Sequence, residues 1–180
     1  GTMFVFFTII IVAVGLSMDT FSLSLGYGMF NLSKNDILKI SICVGLFHFF
    51  MPLLGNLFGD FILSFLLVSE KTLMGIVFLT ISVEIIISLF KTEDIYPLKN
   101  NTEILIFSFT VSIDSFSTGI GLDVFDVSHY FSSFVFMVIS FIFTYIGLSL
   151  GKKLHDKIGK KAEIIGIILL FSLSLFYLFD

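Results

Sequence analysis

The chain has 180 residues, of which 57% are hydrophobic and 13% charged, with a mean hydropathy of +1.09 and a net charge of −4. That composition excludes a soluble globular domain and marks an integral membrane protein. The net charge decides little; where the lysines fall decides more.

A spanning helix needs about 20 mainly apolar residues to cross a hydrocarbon core of roughly 30 Å. Six windows qualify: residues 3–27, 37–58, 72–90, 102–122, 130–150 and 162–179. They are continuously apolar rather than alternating, so helices are predicted and a barrel is not. The first window lacks a basic n-region and runs on through Asp19, which reads as a spanning helix and not as a cleavable signal peptide. The second contains Pro52, tolerable in a membrane helix as a kink, and Cys43, the sole cysteine, so no intramolecular disulfide can form. Residues 61–68 are apolar but too short to span, and read as a continuation or an interfacial segment. Residues 91–101, "KTEDIYPLKNN", are the one long polar connection, and Pro97 argues against a helix through it.

With six helices the connections alternate sides. One side receives Lys34, Lys39, Lys91, Lys99, Lys152, Lys153, Lys157, Lys160 and Lys161; the other receives Lys71. The positive-inside rule then makes the lysine-rich side cytoplasmic and puts both termini outside. The lysines of residues 151–163 read as a topology anchor between helices five and six, in preference to a nucleic-acid or anionic-lipid patch.

The segment "VGLSMDTFSLSLGYG", residues 14–28, returns as "FTVSIDSFSTGIGLD", residues 109–123. Setting Ser17 on Ser112 also sets Asp19 on Asp114, Phe21 on Phe116, Ser22 on Ser117 and Gly26 on Gly121. With a few residues dropped from the second half, Gly55 aligns with Gly147, Gly59 with Gly151 and Gly75 with Gly166. The predicted fold is therefore an all-α integral membrane protein of two three-helix repeats, residues 3–90 and 102–180, joined by the linker 91–101. An odd number of helices per repeat inverts the second copy, as in many secondary transporters with a midplane site at the repeat interface.

Asp19, His48, Glu84 and Asp114 all fall well inside their windows. A charge at that depth costs about 2.5 to 3.5 kcal/mol on insertion scales, so it faces a partner or a water-filled cavity. Gly15, Ser22 and Gly26 share a helical face with Asp19, and Thr110, Ser117 and Gly121 share one with Asp114. Such small, polar stripes let helices approach closely and offer oxygen ligands. Ser17 and Ser112 point about 200° away on an ideal helix and join the site only where the helix is distorted. Two carboxylates with hydroxyl and carbonyl oxygens suit Mn²⁺, Mg²⁺ or Ca²⁺, and an imidazole shifts the preference toward transition metals, hence toward manganese. Structural hydrogen bonding by two neutral acids is the competing reading, and the repetition of the motif argues against it. His48 and Glu84 are not repeated; Ser140 and Leu175 hold the aligned positions. Each is a ligand, a proton carrier or a satisfied core group. Asp60, Asp123 and Asp126 fall near the outer face and read as solvated loop acids.

The segments "GLSMDTFSLSLGYGM", "GLFHFFMPLLGNLFG", "SIDSFSTGIGLD" and "GKKAEIIG" together resemble the manganese-efflux pump family, the MntP-like exporters, over all six windows. The resemblance implies an inner-membrane Mn²⁺ exporter with a fold akin to LysE-type transporters, with Asp19 and Asp114 as the membrane-embedded acids. Some members carry Glu where this chain has His48, and Glu84 departs from a basic residue.

The expectation is a secondary transporter, not an enzyme, that exports Mn²⁺ by alternating access, with Mn²⁺ as substrate, no cofactor and no nucleic-acid partner. No ATP-binding motif is present, and protons are the candidate counter-ion; the sequence leaves the oligomeric state open. Export of Cd²⁺, Ca²⁺ or a basic amino acid is the alternative. An intramembrane aspartyl hydrolase also needs two membrane aspartates, but such enzymes resemble a Tyr-Asp and Gly-x-Gly-Asp pattern that this chain lacks.

Overall fold

The computed structural model describes residues 2–66, 68–91, 95–122 and 127–179, and every regular element among them is helical. Helix α1 (Thr2–Tyr27) runs without interruption through Asp19 and ends in a 3₁₀ turn, Gly28–Phe30. Asn31 stops it in the left-handed region at φ 54°, a conformation that Asn tolerates better than most residues. Helix α2 (Lys34–Leu66) opens on Ser33, whose Oγ accepts from the Asp36 amide at 3.1 Å and donates to the Asp36 carboxylate at 2.7 Å. It passes Pro52 without a break, and residues 61–66 simply continue it. Helix α3 (Glu70–Phe90) is capped by Ser69, which accepts from the Thr72 amide.

The predicted window 102–122 is not one helix. It divides into α4 (Asn101–Thr110) and α5 (Ile113–Gly119), with Val111 and Ser112 at ψ near zero between them. The Ser112 hydroxyl donates to the Phe109 carbonyl at 2.8 Å and its amide bonds the same carbonyl at 3.1 Å. A side chain that takes a backbone acceptor in this way competes with the α-helical ladder.

The predicted loop 151–163 is also corrected, because the backbone stays helical throughout α6 (His129–Phe179). A straight helix of 51 residues would run about 76 Å. Instead the Phe131 ring lies 5.9 Å from that of Phe6, and the Phe176 ring 5.8 Å from that of Phe4. Both ends of α6 thus reach the start of α1, so the element doubles back into two arms, His129–Leu154 and Lys157–Phe179. With α1, α2 and α3 these arms make five helices long and apolar enough to span a membrane.

The first arm runs parallel to α1, shown by contacts that advance together: Phe6 with Phe131, Ser17 with Ser140, and Gly28 with Gly151. The second runs antiparallel, with Phe4 on Phe176, Gly15 on Leu170 and Ser22 on Glu163. Glycines permit the closest approaches. A Cβ on Gly147 would lie 2.7 Å from Ser24 Cβ, and one on Gly151 would meet the Leu25 carbonyl. In α2, a Cβ on Gly55 would meet the Phe116 carbonyl and one on Gly59 the Ile120 carbonyl. Apolar side chains of α1, α3 and α6, among them Val12, Leu16, Met74, Phe78 and Leu170, form the main core.

Candidate cation site

Helix α1 brings Asp19 inward on a face whose neighbours are small: Gly15, Ser22 and Gly26 are all buried. The break between α4 and α5 supplies the second acid. It makes Asp114 a first-turn residue of α5, with one carboxylate oxygen accepting from the Ser115 amide at 2.8 Å. Acids in a first helical turn are favoured by the exposed amides there.

The two aspartates line one cavity of about 270 Å³, together with Ile81, Glu84, Ile85 and Ser88 of α3 and Thr110, Val111 and Ile113 at the break. Glu84 places a third carboxylate on the wall of the same cavity. Two ionised carboxylates lining one cavity repel, and a divalent cation between them relieves the repulsion. Asp19 and Asp114 are half-buried, whereas Glu84 and Thr110 are exposed. The cavity reaches Ser88, three residues short of Lys91, so it extends toward the lysine-rich end of α3.

Among the described residues, no three His, Cys, Asp or Glu side chains gather closely enough to hold a metal by themselves. A cation between the aspartates would therefore complete its shell from hydroxyls, carbonyls or water. Thr110 and Ser88 offer hydroxyls in the cavity wall, although each donates within its own helix, to Ile106 and Ile85 at 2.8 Å. Helix ends also leave carbonyls without intrahelical partners, and one such end borders this cavity.

The profile of the family described as "Putative manganese efflux pump" matches residues 31–178. The chain belongs to that family. Its MntP relatives include a "Putative manganese efflux pump MntP" of Bacillus pumilus, 33% identical over 96% of this chain and 94% of the relative. Proteins of the same description from Oceanobacillus iheyensis and Bacillus licheniformis are 34% identical, over 96% of both chains, and 32% identical, over 93% of this chain and 91% of the relative. No solved structure matches.

Within this MntP-family fold the other sequence candidates separate. His48 does not line the cavity. It is fully buried on α2, beyond the break, where the Phe47 ring meets that of Phe109 at 6.0 Å. Its Nδ1 lies 2.9 Å from the Val44 carbonyl, so Nδ1 carries the proton and Nε2 presents a lone pair. That Nε2 has no hydrogen-bond partner among the described residues. Ser17 bonds Ser140 at 3.0 Å, away from the cavity, and Ser112 bonds Phe109. Ser117 donates to the Ile113 carbonyl at 3.4 Å, and Ser22 to Glu163. Gly121 packs on Met74. Asp60 is exposed, while Asp123 and Asp126 lie outside the described residues.

Sequence reasoning passed over Ser88 and the Ser22–Glu163 contact. Ser88 stands one turn after Glu84, so helical spacing carried that signal. Nothing local marks Glu163 as turned inward among lysines.

Proposed function

We propose that the chain is a secondary transporter of the inner membrane that exports Mn²⁺ from the cytoplasm by alternating access. The observation that carries this reading is that Asp19 and Asp114, from opposite halves of the sequence, line one cavity. The lysine distribution orients that cavity toward the cytoplasm, with both termini outside. Mn²⁺ enters past Glu84 and Ser88, loses part of its water shell to the two carboxylates, and cancels their mutual repulsion. Oxygen-rich donors fit a hard or borderline dication, and the family's description favours manganese.

Two inverted repeats, residues 3–90 and 102–180, give this site its moving parts. Support comes from contacts that exchange under the sequence alignment. Gly55 meets Phe116 and Gly119 just as its counterpart Gly147 meets Phe21 and Ser24, the counterparts of those two residues. Gly59 meets Ile120 as Gly151 meets Leu25. Rocking along these glycine seams would close the cytoplasmic opening and open the opposite one.

Moving a dication outward against an inward-negative potential costs about 4.6 kcal/mol per 100 mV. Inward movement of two protons would offset it, and His48, buried on α2 with an Nε2 that has no hydrogen-bond partner among the described residues, is the proposed carrier. The test of the shared site is Asp19→Asn and Asp114→Asn, near-isosteric losses of charge. Each abolishes manganese efflux in a strain lacking other exporters, with membrane expression intact, and the double variant is little worse than either because the pair acts as a unit. Normal efflux by either single variant removes the shared site. Parallel loads of Cd²⁺, Ca²⁺ and lysine decide selectivity.

A further inference from the structure

Glu163 sits where the lysine-rich bend of α6 enters its second arm, three residues after Lys160. The two lysines before it, Lys160 and Lys161, are exposed, whereas Glu163 is half-buried and faces α1. There its carboxylate accepts a 2.5 Å hydrogen bond from Ser22, a residue only 6% exposed. Ser22 lies one turn beyond Asp19 on the same face of α1, about 4.5 Å further toward the lysine-rich end. Two buried small residues hold this geometry: Ala162 beside the acid, and Gly166, where a Cβ would stand 2.9 Å from Met18 Cβ and 3.0 Å from the Gly15 carbonyl. The arm is therefore seated on the very turns of α1 that carry Asp19.

Glu163 could solvate itself among the lysines by turning outward, yet it is engaged by a hydroxyl at the α1 seam. A hydroxyl donor leaves the carboxylate its full negative charge and its remaining lone pairs. Its charge then stands at Ser22, which is one helical turn from Asp19 along α1, on the cytoplasmic side in the orientation proposed above.

We infer that Glu163 is a capture carboxylate for the transported dication, its charge drawing the ion past the lysines toward the cavity that Asp19 lines. The inference rests on the Asp19–Asp114 reading of the site. Glu163 acts before the cation reaches that pair, so its charge governs how readily the ion is gathered and not how fast the loaded carrier turns over.

The test is Mn²⁺ transport by the full chain in proteoliposomes as a function of Mn²⁺ concentration. Glu163→Gln keeps an acceptor for Ser22 and removes the charge. The half-saturating concentration rises about tenfold, as expected for losing one nearby charge, while the maximal rate stays within twofold. Glu163→Asp recovers most of the affinity, and Ser22→Ala, which leaves the charge, shifts it less than twofold. A wild-type half-saturation for Glu163→Gln, with Ser22→Ala and Glu163→Ala equally lowered in thermal stability, makes the contact a mere latch and overturns the inference. Should Glu163→Gln fail to reach the membrane, Ser22→Asp in that background returns a carboxylate to the same point. Recovered transport upholds the inference, and none overturns it. Transport by Asp19→Asn would instead overturn the parent reading, whatever Glu163 does.

Discussion

Replacing Gly119 by alanine tests whether the position of α5 controls the site. A Cβ there would lie 2.6 Å from Pro52 Cα and 2.7 Å from the Pro52 carbonyl carbon, both backbone atoms of α2. Carbon atoms in contact sit about 3.5 to 4.0 Å apart, so the shortfall is roughly 0.9 Å. No rotamer change can supply it, and the two helices must part by about that distance. Overpacking of this kind costs about 1 to 3 kcal/mol. Asp114 lies five residues earlier on the same short helix, so its carboxylate moves relative to Asp19. A misplacement near 1 Å in a reacting group costs about 100-fold in enzymes, and a comparable loss of manganese efflux is expected here. Gly121→Ala is the control, because its Cβ would meet the Met74 side chain at 3.0 Å, and methionine adapts. The assay pairs manganese clearance by cells lacking other exporters with the thermal midpoint of detergent-purified protein. If Gly119→Ala and Gly121→Ala match in both measurements, the seam does not position the site.

Two further outcomes follow from the same account. In a Cys43→Ser background, a cysteine at Lys157 is labelled by an impermeant reagent only after cells are opened; labelling in intact cells reverses the orientation. His48→Ala impairs export while the protein still reaches the membrane, and His48→Glu, which restores a titratable group, retains more activity; equal clearance by His48→Ala and the parent chain reduces His48 to packing.

The meeting of Asp19 and Asp114 was legible because the motif occurs twice and each acid carries a small, polar face. The break that delivers Asp114 was not, and the two serines explain why. Ser17 and Ser112 occupy matching positions, yet Ser17 stays helical while Ser112 bonds the Phe109 carbonyl at a helix end. Ser17 spends its hydroxyl on Ser140 in the first arm of α6. Position 48, which aligns with Ser140, is His48, and its Nδ1 is committed to its own helix. A tertiary partner thus separates two nearly identical local sequences. His48 was placed by depth along its helix, which says nothing about angle around the bundle, so its separation from the cavity could not be foreseen. The helical bend of α6 escaped for a related reason: a polar, lysine-rich stretch reads as a loop, but lysine is itself a good helix former.

One cation held between two acids is read directly by a manganese anomalous difference map of crystals grown with Mn²⁺. A single strong peak is expected in the cavity, bridging the carboxylates of Asp19 and Asp114, and it disappears in Asp114→Asn crystals. A peak bound by one aspartate alone and unchanged in Asp114→Asn, or one sited at His48 with the cavity empty, would contradict it.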